Sequence, residues 1–245
     1  MEASGAISNI SDLLSVLEGH SSSSSYWYRG QSNEDWPLLP SLDRKPEGLK
    51  REWDLIAKFK QNASLLLSTV PRNDWEWLTI MQHHRVPTRL LDWTESPLVA
   101  LYFAVTPASE VDGALWVLES AMLNRASKIS PDYDNYIPNF DDQITESYSP
   151  SSLRAERMTK QEPIAIIGPR NTPRMQAQLG VFTVVHREAT SVESVGDGRH
   201  VRKFMIPHEA KKVLRKQLSS LSVNRFQLFP DLQSLGELLK GDHDA

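Results

Sequence analysis

Arg29, Gln31, Arg89, Asp92, Thr94, Arg174 and Gln178 are the side chains of this chain whose types and settings could do chemistry. They form a polar set without a strong nucleophile. A guanidinium is a planar fork of donors matched to phosphate or carboxylate, so arginines grouped with one carboxylate point to an anionic ligand. Arg29 follows an aromatic run and precedes Gly30. Aromatic residues favour strands, and glycine marks a tight bend or a close backbone approach, which puts Arg29 at the lip of a strand. The alternative is that Arg29 pairs with a nearby carboxylate and only pins a loop. Arg89 and Asp92 lie three residues apart and can form a local salt bridge, which if exposed is worth under about 1 kcal/mol. Gln178 reads equally as a helix-end residue capping backbone before a strand at Val181 or as a site residue.

Several chemistries lack their footholds. With 0 cysteines the chain has no thiolate nucleophile, disulfide or cysteine-bound zinc. His83 and His84 are adjacent, so on a helix they point about 100° apart and do not chelate one ion easily. His186, His200 and His208 lack paired spacing, and no His-Glu-x-x-His pattern exists. The 11 glycines are too scattered for a phosphate loop, and there is no Gly-x-Ser-x-Gly elbow. A net charge of −4 and a pI near 6.0 argue against a dedicated nucleic-acid binder. The longest apolar run, Pro97 to Val105, is about half a membrane span, and Glu2 stands where a secretory signal would be basic. These features predict a soluble, cytoplasmic protein with no membrane partner.

The elements that must position the candidates follow from periodicity and punctuation. Asn9 to Glu18 reads as a helix stopped at Gly19, and Ser21 to Ser25 as a serine-rich connector. A strand over Tyr26 to Arg29 leads into a proline-punctuated loop, Trp36 to Pro40. Apolar residues at helical spacing predict a helix over Leu49 to Leu67. Asn73 opens another, with Glu76 as in a capping box, carrying Trp75, Trp77 and Met81 until Pro87 ends it. Leu90 to Trp93 reads as a strand, and Ser96-Pro97 as cap and first turn of a buried helix to Val105. Further strands are expected at Ala114 to Leu118, Ile164 to Ile167, Phe182 to His186 and Val201 to Ile206. Helices at Glu209 to Leu221 and Leu232 to Leu239 close the chain. Residues 124–161 are polar with little periodicity and read as an excursion or lid. The irregular alternation predicts one α+β domain with a small split sheet, mixed or antiparallel, and surrounding helices. Residues 1–25 would be an N-terminal helix and connector, and 26–240 the domain. Trp53 and Trp116 read as core. Trp93 also reads as core, with stacking on a base as its alternative.

Four motifs occur in order: Tyr28-Arg29-Gly30-Gln31 running to Trp36-Pro37, Gln82 to Thr94 running into Ser96 to Ala104, Arg174 to Thr183, and Leu228 to Leu232. Together they resemble the FRG domain family over roughly residues 20 to 240. The arrangement also resembles, more weakly, the ADP-ribosyltransferase pattern, which implies NAD as substrate and a macromolecular acceptor. In that resemblance Arg29 matches the first-strand arginine that contacts NAD. Leu91 to Thr94 with the helix ending Tyr102-Phe103-Ala104 matches the second element. Gln178 stands where the third element has a glutamate. Arg29, Asp92 and Gln178 are then the expected catalytic residues, with Tyr28, Gln31, Arg89, Thr94 and Arg174 around the cofactor. Arg85 or Arg89 would pair phosphate while Asp92 holds a ribose hydroxyl or a water, and Glu162 is the reserve carboxylate. The family resemblance implies a toxin or defence effector. The alternatives are a non-catalytic nucleotide- or protein-binding module, and a nucleic-acid-processing protein using Arg85, Arg89, Arg170 and Arg174.

Overall fold

A computed structural model describes residues 2–21, 24–44, 47–106, 110–129, 135–155 and 159–241. Its strands are β1 (Tyr26–Gln31), β2 (Leu90–Thr94), β3 (Gly113–Glu119), β4 (Ile164–Ile166), β5 (Gly180–Val184) and β6 (Val201–Ile206). The helices are α1 (Ile10–Glu18), α2 (Gly48–Ala63), α3 (Asp74–His83), α4 (Pro97–Val105), α5 (Ser120–Ala126), α6 (Gln143–Glu146), α7 (Pro150–Ala155), α8 (Pro173–Ala177), α9 (Lys211–Ser220), α10 (Arg225–Leu228) and α11 (Leu232–Leu239).

The strands form one six-stranded sheet, ordered β4-β5-β2-β1-β3-β6, with every neighbouring pair antiparallel. The six expected strands thus join in one sheet where a small split one was expected, and the fold is α+β. Strand alternation sends the side chains of β1 to two different cores. Trp27 packs with Trp93 and Trp116 on one face. Tyr28 packs with Val99 and Ala100 of α4 on the other. A third core gathers Ile56 of α2, Trp75, Leu78 and Met81 of α3, Leu90, Phe182 and Val184.

Local chemistry fixes the helix ends. Asn9 accepts from the Asp12 N–H while the Asp12 carboxylate accepts from the Asn9 N–H, so an aspartate completes the capping box of α1. Asn73 caps α3 through the Glu76 N–H, but the Glu76 carboxylate accepts from the Arg72 N–H instead of closing a box. The α3 helix ends before Pro87 acts. Arg85 takes a left-handed φ of 62°, and the Val86 N–H donates to the Met81 carbonyl, the bond of a Schellman end. Ser96 accepts from the Val99 N–H at 3.3 Å and Pro97 opens the first turn of α4. Apolar residues surround that helix almost completely, as burial requires.

Gly30 is not a bend. The β1 strand runs through it to Gln31, and a Cβ built there would lie 1.8 Å from the Ala100 carbonyl oxygen. The glycine lets α4 rest on the strand backbone. Arg29 accordingly sits within the strand rather than at its lip. The segment 124–161, expected to be a polar lid, contains α6 and α7. It sends Phe140 and the fully buried Tyr148 into the third core; its residues 130–134 and 156–158 lie outside the described ones. The short α10 was not foreseen. Among the described residues no helix is long and apolar enough to cross a membrane.

Candidate functional site

The sheet has one weak seam. β2 pairs with β5 along its length, Leu90↔Val184 to Thr94↔Gly180, and β1 pairs with β3 from Tyr26↔Glu119 to Gln31↔Ala114. Between β1 and β2 the register holds the single pair Tyr28↔Thr94. Past it the strands part, leaving carbonyls without ladder partners. Arg29 meets one of them, its Nη1 donating to the Asp92 carbonyl at 2.5 Å. A cavity of about 430 Å³ opens at this seam, within the range of ~300–1,000 Å³ usual for ligand pockets. Its walls are β1, β2, the α4 residues Val99, Ala100 and Phe103, the end of α3, and α8. Trp36 and Arg44, both exposed, complete it.

Arg29, Arg44 and Arg174 line this cavity, and Asp92 is its only carboxylate among the described residues. Burial pushes the Arg29 pKa down to about 10, with Asp92 opposing and Arg44 adding to the shift. The group stays cationic at neutral pH. Burial also lowers Arg174, against the pull of Asp92. Arg174 donates from Nη1 to the His83 carbonyl at 3.3 Å and lies 4.7 Å above the Phe229 ring. His83 is held below the usual histidine range by burial first, then by Arg174 and His84, so its ring is neutral at pH 7. Three cavity-lining polar atoms are buried without a protein partner: Arg29 Nε, His83 Nδ1 and Thr106 Oγ1. Buried polar atoms in folded proteins are nearly always paired, so three around one cavity mark where a polar ligand fits.

Asp92 is held in place by a relay. Gln82 Nε2 donates to Asp92 Oδ1 at 2.6 Å, Thr88 Oγ1 donates to Gln82 Oε1 at 2.6 Å, and the Leu90 N–H donates to Thr88 Oγ1 at 3.3 Å. The salt bridge weighed between Arg89 and Asp92 does not form.

Arg89 must be taken out of the site. Its Nε donates to Glu52 Oε1 at 2.8 Å, its Nη2 pairs with Glu52 Oε2, and its Nη1 faces the carbonyls of Tyr148, Val185 and His186. Both partners are buried in the third-core region, away from the cavity lining. The sequence carried no sign of this because Glu52 lies 37 residues earlier, on another element.

The other candidates line the cavity, several with their polar atoms engaged. Gln31 Oε1 accepts from Trp116 Nε1 at 2.7 Å and its Nε2 donates to the Pro37 carbonyl at 3.3 Å. Thr94 Oγ1 donates to the Gln178 carbonyl at 2.6 Å. Gln178 is the C-cap of α8, and its Nε2 donates to the Leu228 carbonyl at 3.0 Å. The Tyr28 hydroxyl sits 3.0 Å from His20 Nδ1, and burial raises its pKa to about 12. Gln31, Thr94 and Gln178 therefore brace the cleft. Glu162 and Arg85 are not among the lining residues, and Arg170 pairs with Glu95. Trp36, Arg44, Gln82, His83 and Phe103 were not named as site residues. Gln82 and His83 open the second motif, which was the available signal; nothing in the sequence singled out Arg44.

Among the described residues one group could hold a metal ion: Asp112, His208 and Glu209, with donor atoms within 4.8 Å of one another. It lies outside the cleft. His208 Nδ1 sits 3.1 Å from an oxygen of each carboxylate.

No curated protein and no solved structure matches the chain. The FRG domain family matches at residues 24–113, a stretch holding β1, α2, α3, β2 and α4, while the motifs of α8 and α10 lie beyond it. The part of the chain that supplies Arg29, Asp92 and the α4 wall is thus the part similar to the FRG domain.

Proposed function

We propose that the cleft binds NAD or a related nucleotide and breaks its nicotinamide–ribose bond, passing ADP-ribose to a macromolecule or to water. The observation that carries this is a lone carboxylate, Asp92, sharing one cavity lining with three guanidinium groups, those of Arg29, Arg44 and Arg174. Arg29 and Arg174 would take the pyrophosphate as charge-assisted hydrogen-bond donors. Asp92, oriented by Gln82, would face the positive charge that develops on the sugar. The C1′–N bond breaks with its electron pair left on the nicotinamide nitrogen. An acceptor oxygen then bonds to C1′ and gives up its proton to Asp92 or to neutral His83. The FRG family and the weaker ADP-ribosyltransferase-like pattern support this reading, as does the seam that opens the cleft. A toxin or defence role rests on the family resemblance alone.

A non-catalytic nucleotide binder is the second reading. It is favoured by Gln178, which stands where a glutamate is expected and whose amide is tied to the Leu228 carbonyl. Release of nicotinamide from NAD separates the two. Asp92→Asn should slow it by about two to three orders of magnitude while binding persists. Wild-type protein that binds NAD yet releases no nicotinamide, with or without cell extract as acceptor, is the binder.

A further inference from the structure

Trp36 is the one large aromatic side chain placed both in the cavity lining and in solvent, at 44% exposure, among the described residues. Exposing an indole forgoes several kcal/mol of burial in principle, and the loop that does so is firmly held. The Gln31 amide donates to the Pro37 carbonyl, and the Leu38 N–H donates to the Glu193 carboxylate at 3.2 Å. Leu38 itself is fully buried. Asp35 N–H donates to Asn33 Oδ1 at 2.8 Å on the other side. The ring is thus displayed by a braced loop. Arg44 lies 5.9 Å from its centroid, a guanidinium beside an aromatic face.

Resting on the nucleotide reading of the cleft, we infer that Trp36 and Arg44 form a base subsite: the indole stacks on the planar base of a nucleotide whose phosphates reach Arg29 and Arg174. A rigid aromatic platform is suited to this because every base has a π face and little entropy is lost on docking. The subsite selects base-bearing phosphates over bare ones. It is a binding element and supplies neither charge nor proton to the bond that breaks.

Isothermal titration of wild-type, Trp36→Ala and Trp36→Phe proteins with NAD, ADP-ribose, nicotinamide mononucleotide and inorganic pyrophosphate tests this. Trp36→Ala should weaken NAD by about tenfold or more, Trp36→Phe should restore most of that loss, and pyrophosphate affinity should stay within about twofold. Whichever of ADP-ribose and the mononucleotide weakens in parallel identifies the stacked base. Equal weakening of pyrophosphate, or unchanged NAD binding, overturns the base subsite while leaving the anion-binding cleft standing. Wild-type protein that binds none of the four overturns both.

Discussion

Arg29 and Arg89 belong to adjacent parts of one sheet, yet their surroundings are opposite. Arg89 spends its guanidinium on both carboxylate oxygens of Glu52 and on the carbonyls of residues 148, 185 and 186. Arg29 makes one bond, to the Asp92 carbonyl, and its Nε is buried without a partner. The first environment supplies more acceptors than the side chain has nitrogens, because β2, β5 and α2 converge there. The second supplies one, because β1 and β2 separate after a single pair. A buried arginine that is fully matched stabilises the fold locally, whereas one left partly matched at a cavity can accept an outside anion. Residue type alone does not distinguish them; the geometry of the sheet does.

Removing Arg89 should have the largest effect on stability. Arg89→Ala strands Glu52 in the interior and should cost about 3–5 kcal/mol by urea denaturation, while the apolar double variant Arg89→Met, Glu52→Leu recovers most of it. An unchanged unfolding midpoint in Arg89→Ala would mean that the pair is idle and erase the contrast with Arg29. Next comes Gly30→Ala on the cleft side. A Cβ at 1.8 Å from the Ala100 oxygen forces α4 outward, with an expected cost of about 1–3 kcal/mol as for other overpacked sites. Wild-type stability there would show that α4 does not rest on the strand.

Smaller per step is a pH slope from the Arg89 side, at most about 1.4 kcal/mol per pH unit for a single proton. His186 is fully buried, packed edge-on to Tyr148 at 5.1 Å, and accepts from the Gln161 N–H. Burial, then Arg89 and Arg187, push its pKa from 6.5 to about 4. Because the folded pKa is the lower one, the unfolded chain binds more protons between these values. Stability should therefore fall as pH drops from 6.5 toward 4 and level off below. His186→Gln should flatten that part of the profile. A slope identical in the variant would assign the titration to another group.

Much of this was legible in the sequence where local signals decide. Asn9, Asn73 and the Ser96-Pro97 pair announced their helices because caps act over three residues, and Tyr26 to Arg29 announced a strand by its aromatics. Gly30 was read as either bend or close approach; the choice depended on α4, seventy residues on. Arg29, Asp92 and Gln178 were named together from motif order, and the fold brings them to one cavity. What periodicity missed was long-range: the pairing of Arg89 with Glu52, and the burial of Tyr148 and Phe140 from a stretch whose composition is polar. Arg44 and Trp36 enter the site from the segment between β1 and α2, where no repeating pattern marks which side chain faces the cavity.

The central claim is that the seam between β1 and β2 is an anion-binding nucleotide site built on Arg29. Thermal unfolding with and without saturating ADP-ribose tests it most directly, since a ligand bound only by the native state raises the melting temperature. Wild-type protein should gain about 5 °C or more at roughly a hundredfold excess over Kd. Arg29→Ala should still melt cooperatively and gain nothing. No shift in the wild type, or the same shift in Arg29→Ala, would contradict the account.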